Sequence, residues 1–195
     1  MSLQKLFMAC AETLNGDRPI EKDAKRCLQQ AKPRQDIDFG ANNLPLDIDE
    51  VMRREDALPL CYIIRQMAFH WLPPSTSSSS KYIKDSQAKS HIELVGPEGL
   101  ALSDSFRIGL YGMMPNSAYG IRTHPAEEIY IMLAGEVFWK VGAGEYSPHY
   151  AGSRSYHPSY MEHANMTREK AFMSIYIWRG DVSTTEYHYT GKAQR

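Results

Sequence analysis

The sequence predicts a mainly β protein, a barrel or sandwich of short antiparallel strands, with an α-helical extension on its N-terminal side. Two observations predict this. Apolar residues recur at three- and four-residue spacings as far as about His70, then at two-residue spacings from about Phe106 onward. Glycine and proline punctuate the second region at 96–99, 112–115, 142–148 and 152–158, close enough together to bound many short strands.

In the first region Leu3, Leu6, Phe7, Cys10 and Leu14 mark one face of an amphipathic helix. A second helix is expected to begin near Pro19 and Ile20, where proline fits a first helical turn, and to run through Ala24, Cys27, Leu28 and Ala31 until Pro33 ends it. A connection containing proline and asparagine follows. Short helices are expected over 48–54 and 59–69, and the outside of the strand-rich half is the natural partner for all these apolar faces. The stretch Leu72 to Tyr82, LPPSTSSSSKY, carries two prolines and a serine run and reads as a flexible loop, a domain boundary or an active-site lid. The expected organisation is a helical extension over 1–72 packed on a barrel, a Pro/Ser loop over 73–90, and the barrel over 91–195. In the barrel Phe106, Ile108 and Leu110 alternate, as do Phe172, Ser174, Tyr176 and Trp178. No solenoid-type repeat is present in the sequence.

Composition narrows the function classes. The chain has 195 residues with 43% hydrophobic and 23% charged content, ordinary for one globular domain with an extension. A formal net charge of −1 gives no electrostatic footprint for nucleic acid. No apolar run is long enough to cross a bilayer, so a membrane partner is not expected either. Cys10, Cys27 and Cys61 are too widely spaced for a disulfide framework or a CxxC metal site, and the first residues lack the apolar core and cleavage site of a signal peptide. A cytoplasmic location is expected.

The chemistry-bearing segments are YGIRTHPAEEIYIMLAGEV (Tyr119 to Val137) and GSRSYHPSYMEHANMT (Gly152 to Thr167). On a strand, Glu128, Tyr130 and Met132 face one side while Ile129, Ile131 and Leu133 face the other. Arg122 and His124 share a face of the preceding segment, and a bend over Pro125 to Glu127 brings His124 beside Glu128. His163, after a turn containing Pro158, is expected on an adjacent strand. Two imidazoles and a carboxylate suit one divalent transition metal, Zn²⁺, Fe²⁺ or Mn²⁺, and leave coordination positions open for water or substrate. A histidine in a β protein is more often on the surface or hydrogen-bonded in the core. Three features in register favour the metal: the His-x3-Glu pair, Gly135 seven residues after Glu128, and the Gly-x5-Pro-x4-His run formed by Gly152, Pro158 and His163.

These are the two halves of the cupin motif, and the sequence resembles the cupin superfamily, which implies a double-stranded β-helix barrel. Arg122 stands where the first motif usually has a histidine, and Tyr160 where the second has a glycine; the usual asparagine is absent from its place, with Asn165 close by. The metal then keeps fewer protein ligands, with Tyr130 as an additional one, or the site is repurposed. A narrower resemblance rests on the helical N-terminal half, the Tyr-Gly pair before the first motif, His-Pro-Ala-x-Glu-Ile-Tyr within it, and Tyr-His-Pro-Ser-x-x-x-His at the end. Together these are similar to the bacterial cupin-type dimethylsulfoniopropionate lyases and lyase-like proteins. That resemblance implies His124, Glu128 and His163 as metal ligands, Tyr130 as the catalytic tyrosine and Tyr119 in the substrate pocket.

The implied reaction is β-elimination of dimethyl sulfide from a small sulfonium carboxylate, leaving acrylate. A tyrosine with a pKa near about 10 is a poor base unless a nearby cation favours its ionised form. The sulfonium end offers no hydrogen-bond donor and suits aromatic faces, for which Tyr119, Trp139, Tyr156, Tyr160 and Trp178 are candidates, although aromatics in a barrel are more often core filling. Arg122 is a candidate partner for the substrate carboxylate. Two other functions stay open: an Fe²⁺-dependent cupin dioxygenase acting on another small carboxylate, and a small-molecule-binding cupin without turnover. A homodimer is open as well.

Overall fold

The computed structural model describes residues 2–35, 40 and 43–191. Among them are helices α1 (Leu3–Thr13), α2 (Pro19–Gln30), α3 (Leu46–Met52), α4 (Leu60–Arg65) and α5 (Ser80–Ser86). The strands are β1 (Lys89–Gly96), β2 (Ala101–Leu102), β3 (Phe106–Met113), β4 (Ala118–Thr123), β5 (Glu127–Val141), β6 (Ser147–Tyr150), β7 (Arg154–His157), β8 (His163–Met166), β9 (Phe172–Arg179) and β10 (His188–Gly191). The expected connection after Pro33 lies partly outside the described residues, at 36–39, 41 and 42, as do the last four positions of the expected barrel span, 192–195.

The strands form a cupin-type barrel in which the order β10-β4-β8-β5-β9-β3-β1-β2 runs around the wall, with β6 and β7 also paired to β5. Strand β5 belongs to both halves of that wall. Its first part pairs with β7 and β9, and its last part with β6 and β8. The change comes at a bulge between Met132 and Ala134, followed by Gly135 at φ +75°. A Cβ on Gly135 would lie 2.0 Å from the Ala171 carbonyl oxygen, so only glycine fits there.

Two cores result. Ile129, Ile131, Leu133, Ile108, Leu110, Ile175 and Ile177 face outward and meet Leu6, Phe7, Cys10, Ile20, Leu28, Ile48 and Ile64 of the helices. Tyr130, Met132, Trp139, Tyr111, Tyr119, Phe172, Tyr176 and Trp178 face into the barrel. Alternation along the strands thus sorts aliphatic residues to the helix side and aromatic residues to the interior. Ion pairs pin α2 to the barrel: Glu21, buried, accepts from Arg154 Nε at 2.9 Å, and Arg179 bridges Asp23 to Glu127.

Two local expectations differ from the structure. Helix α4 ends at Arg65, short of Phe69, because Met67, Phe69 and Trp71 bury alternate positions of an extended segment that no helix could present to one surface. The serine run is not all loop. Ser79 caps α5 by accepting from the Tyr82 amide at 3.2 Å, and Tyr82 is fully buried, its ring edge-on to Tyr119, Tyr187 and Tyr189.

Replacing Gly135 by alanine is expected to destabilise the protein by about 1–3 kcal/mol from the left-handed backbone alone, and further from the contact with Ala171. Urea unfolding reads this directly; an unchanged midpoint would show that β5 does not need its bend at this residue.

Candidate metal centre and active site

The barrel interior gathers His124, Glu128 and His163, all buried, with one potential ligand atom of each lying within 4.8 Å of the others. Each arrives by a separate route. His124 directly follows β4 just before the bend, Glu128 is the second residue of β5, and His163 opens β8, where it pairs with Arg122 on one side and Val141 on the other. His124 Nδ1 donates to the Ala126 carbonyl at 3.0 Å, and His163 Nδ1 donates to the Met161 carbonyl at 2.8 Å. A carbonyl can only accept, so Nδ1 carries the proton in both rings and Nε2 presents a lone pair.

Both Nε2 atoms are buried without a hydrogen-bond partner and face Glu128 Oε2, at 3.5 Å from His124 and 3.0 Å from His163. Burial and the Arg122 charge push the His163 pKa well below its ordinary value, which keeps that ring neutral. Burial opposes the charge on Glu128, but hydrogen bonding outweighs it and holds the carboxyl well below its usual range, with His157 Nδ1–H as the imidazole donor that these tautomers leave. Two bare nitrogens aimed at an ionised oxygen repel one another unless a cation lies between them. The donor set therefore fits a divalent metal.

A cavity of about 380 Å³ opens onto this group, with Glu128, Tyr130, Arg122, Tyr119 and Trp178 in its wall and the 72–76 segment along one side. The volume suits a small ligand. The Tyr130 hydroxyl interacts with Glu128; burial and the Glu128 charge raise its pKa well above the ordinary value, and Arg122 opposes them. Trp178 Nε1 donates to Glu128 Oε1 at 2.5 Å, and its ring stacks on His124 at 4.0 Å between centroids. Two basic side chains approach the Tyr119 ring, with Lys89 Nζ 3.3 Å and the Arg122 guanidinium carbon 3.9 Å from its centroid. Arg122 is buried, and its partners are neutral: the Asn165 side-chain oxygen at 3.2 Å and the carbonyls of Gly120 and Tyr119 at 3.4 and 3.5 Å.

The remaining sequence candidates fall elsewhere. Trp139 is buried behind Tyr130, 4.4 Å from it between ring centroids, and is not part of the cavity wall. Tyr156 pairs in register with Ile129 and therefore points to the helix side, where its hydroxyl donates to Glu127 and Arg18 covers its ring. Tyr160 is 54% exposed and donates to Glu186. Both stand outside the cavity because strand parity and a surface turn turn them away.

The structure adds residues that motif reasoning missed. His91, Tyr111 and Tyr176 line the cavity, with His91 Nε2 and the Tyr176 hydroxyl 2.7 Å apart. His157, fully buried, meets Glu128 Oε2 at 3.0 Å through Nδ1. Its only sequence signal was its place between Tyr156 and Pro158 in the second motif.

Fold and site together define a cupin-type barrel with a buried His/His/carboxylate centre on a ligand-sized cavity. The family model of dimethylsulfoniopropionate (DMSP) lyase matches residues 52–174, more than half of the chain, and the chain belongs to that family. It is 36% identical over 91 residues to dimethylsulfoniopropionate lyase DddQ of Ruegeria pomeroyi; the match spans 47% of this chain and 45% of that protein, under half the length of the relative. The crystal structure of DMSP lyase DddQ from Ruegeria pomeroyi DSS-3 shares the fold, with a TM-score of 0.68 at 21% identity over 99% of this chain and 98% of that one. A structure from work on the DMSP lyases RdDddP and RnDddQII gives a TM-score of 0.67 at 20% identity, covering 98% of each chain. No helix among the described residues is long and apolar enough to cross a membrane.

Lys89 gives a stability test of this interior. It is buried without a carboxylate contact, and burial together with Arg122 pushes its pKa down to about 6, Asp85 opposing. In the unfolded chain the ordinary value near 10.5 applies, so the unfolded state binds the extra proton between these limits and the lysine costs stability at pH 7. Lys89→Met is expected to raise the unfolding free energy at pH 7 by about 1–4 kcal/mol. The gain should shrink as the pH rises toward 10.5, and chemical unfolding at pH 7 and pH 10 measures both.

Proposed function

We propose that the protein is a metal-dependent carbon–sulfur lyase that cleaves DMSP to dimethyl sulfide and acrylate. The observation that carries this reading is the position of Tyr130: its hydroxyl stands in the cavity wall against Glu128, itself within reach of both bare imidazole nitrogens. Membership of the DMSP lyase family supports the same substrate class.

His124, Glu128 and His163 would hold the divalent cation, Zn²⁺, Fe²⁺ or Mn²⁺, with Tyr130 as an additional ligand. When bound, that cation supplies Lewis-acid polarisation of the substrate carboxylate and favours the phenolate over the phenol. Tyr130 then takes the proton from the carbon α to the carboxylate. The electron pair of that C–H bond forms the double bond to the β-carbon, and the C–S pair leaves on sulfur, so the sulfonium departs as neutral dimethyl sulfide and needs no acid. Arg122, buried without a carboxylate partner, is placed to receive the substrate carboxylate, and Trp178 in the cavity wall offers an aromatic face to the sulfonium, since Lys89 and Arg122 already lie over Tyr119. Arg122, Glu128 and Tyr130 are each buried, which limits the access of competing water to them.

A second reading, a DMSP-binding protein without turnover, is favoured by Arg122 alone, since it occupies the position of a motif histidine.

Headspace detection of dimethyl sulfide from the metal-loaded protein and DMSP tests the lyase reading. Tyr130→Phe should lower release by about 10²–10⁴-fold even when it is assayed with its metal site saturated, and a chelator should abolish release in the wild type. Binding of DMSP without product, with product appearing on Arg122→His, would establish the second reading. Oxygen uptake on another carboxylate with no dimethyl sulfide would make the protein a dioxygenase.

A further inference from the structure

We infer that His157 is a positioning residue that, together with Trp178, fixes which oxygen of Glu128 is offered to the metal. This rests on the reading of His124, Glu128 and His163 as the metal ligands.

Strand register builds the device. Glu128 on β5 is paired directly with His157 on β7 and directly with Trp178 on β9, so the three side chains emerge side by side on the inner face. Each neighbour gives one hydrogen bond to the carboxylate: Trp178 Nε1 to Oε1 at 2.5 Å and His157 Nδ1 to Oε2 at 3.0 Å. A carboxylate only accepts, so Nδ1 of His157 carries the proton. Its Nε2 then accepts from the Ser155 hydroxyl at 2.8 Å, on the same face of β7, and the tautomer is fixed from both sides. His157 also stacks on His163, with centroids 4.2 Å apart and planes inclined by 16°.

The consequence for Glu128 is directional. Oε1 is taken by the indole, while Oε2 faces His124 Nε2 and His163 Nε2. The carboxylate cannot turn out of this orientation without giving up both donors. A ligand held in this way loses little freedom when it binds a cation, which is how outer hydrogen bonds raise metal affinity. Here the chain has Arg122 in place of a motif histidine, so retention of the metal leans on the few ligands that remain.

The test is Zn²⁺ affinity of the purified full-length chain, measured in competition with a chromophoric chelator, together with the absorption spectrum of the Co²⁺-loaded protein. His157→Leu keeps the apolar volume and removes the donor; affinity is expected to fall by about 10–100-fold and the Co²⁺ bands to shift. His157→Asn places an amide N–H near the position of Nδ1 and is expected to restore both readouts. A packing role would give the opposite ranking, with leucine tolerated and asparagine not, and that ranking would overturn the inference. If His157→Leu does not fold, Trp178→Phe removes the indole donor to Oε1 and should weaken Zn²⁺ binding by itself; unchanged affinity there would overturn the inference too. A wild-type chain that takes up no Zn²⁺, Fe²⁺ or Mn²⁺ would overturn the metal reading and the inference together, whereas wild-type uptake matched by His157→Leu overturns the inference alone.

Discussion

Strand β5 must serve both halves of the barrel wall, and the bend at Gly135 that allows this is the constraint on which the site depends. Before the bend, Glu128 and Tyr130 point inward between β7 and β9; after it, Trp139 points inward beside β8. Without the bulge at Met132 to Ala134, the side-chain alternation would run through unchanged and the two segments could not both present their aromatic or acidic face to one interior. The long strand thereby brings the Glu128 end within reach of His163 on β8 and of His124 directly after β4.

The interior so formed is charged in an unusual way. A buried guanidinium with neutral partners, a buried lysine and an ionised carboxylate share a space lined by tyrosines. The Tyr119 ring, 3.9 Å from the Arg122 guanidinium carbon, lowers the cost of that buried charge. The Lys89 charge fades with burial, but the Arg122 charge cannot, because a guanidinium does not give up its proton in this range. With a divalent cation on His124, Glu128 and His163, as proposed, the positive charge around Glu128 would favour an anionic ligand. The barrel is shared by proteins of many activities, so this local charge balance, and not the fold, is what supports the proposed carboxylate substrate.

Much of this was legible in the sequence, for reasons that particular residues make plain. Helices α1 and α2 followed from apolar spacing and from Pro19 and Pro33, since helix period and proline act locally. The clustering of His124, Glu128 and His163 was legible because motif spacing fixes turn lengths between short strands. What escaped was information held in pairing between distant strands. Tyr156 looked like a pocket residue and His157 drew no role, yet register with Ile129 and Glu128 sends the first outward and the second to the candidate metal centre. Helix α5 escaped because a serine run reads as loop unless Ser79 is recognised as a cap and Tyr82 as its anchor.

X-ray absorption spectroscopy of the metal-loaded protein tests the central claim most directly, because it reports the ligands in solution without reference to turnover. The account predicts a first shell of nitrogen and oxygen atoms with the outer-shell scattering of two imidazoles, diminished in a His163→Ala variant. A spectrum showing sulfur ligands, or oxygen neighbours with no imidazole signature, would contradict it.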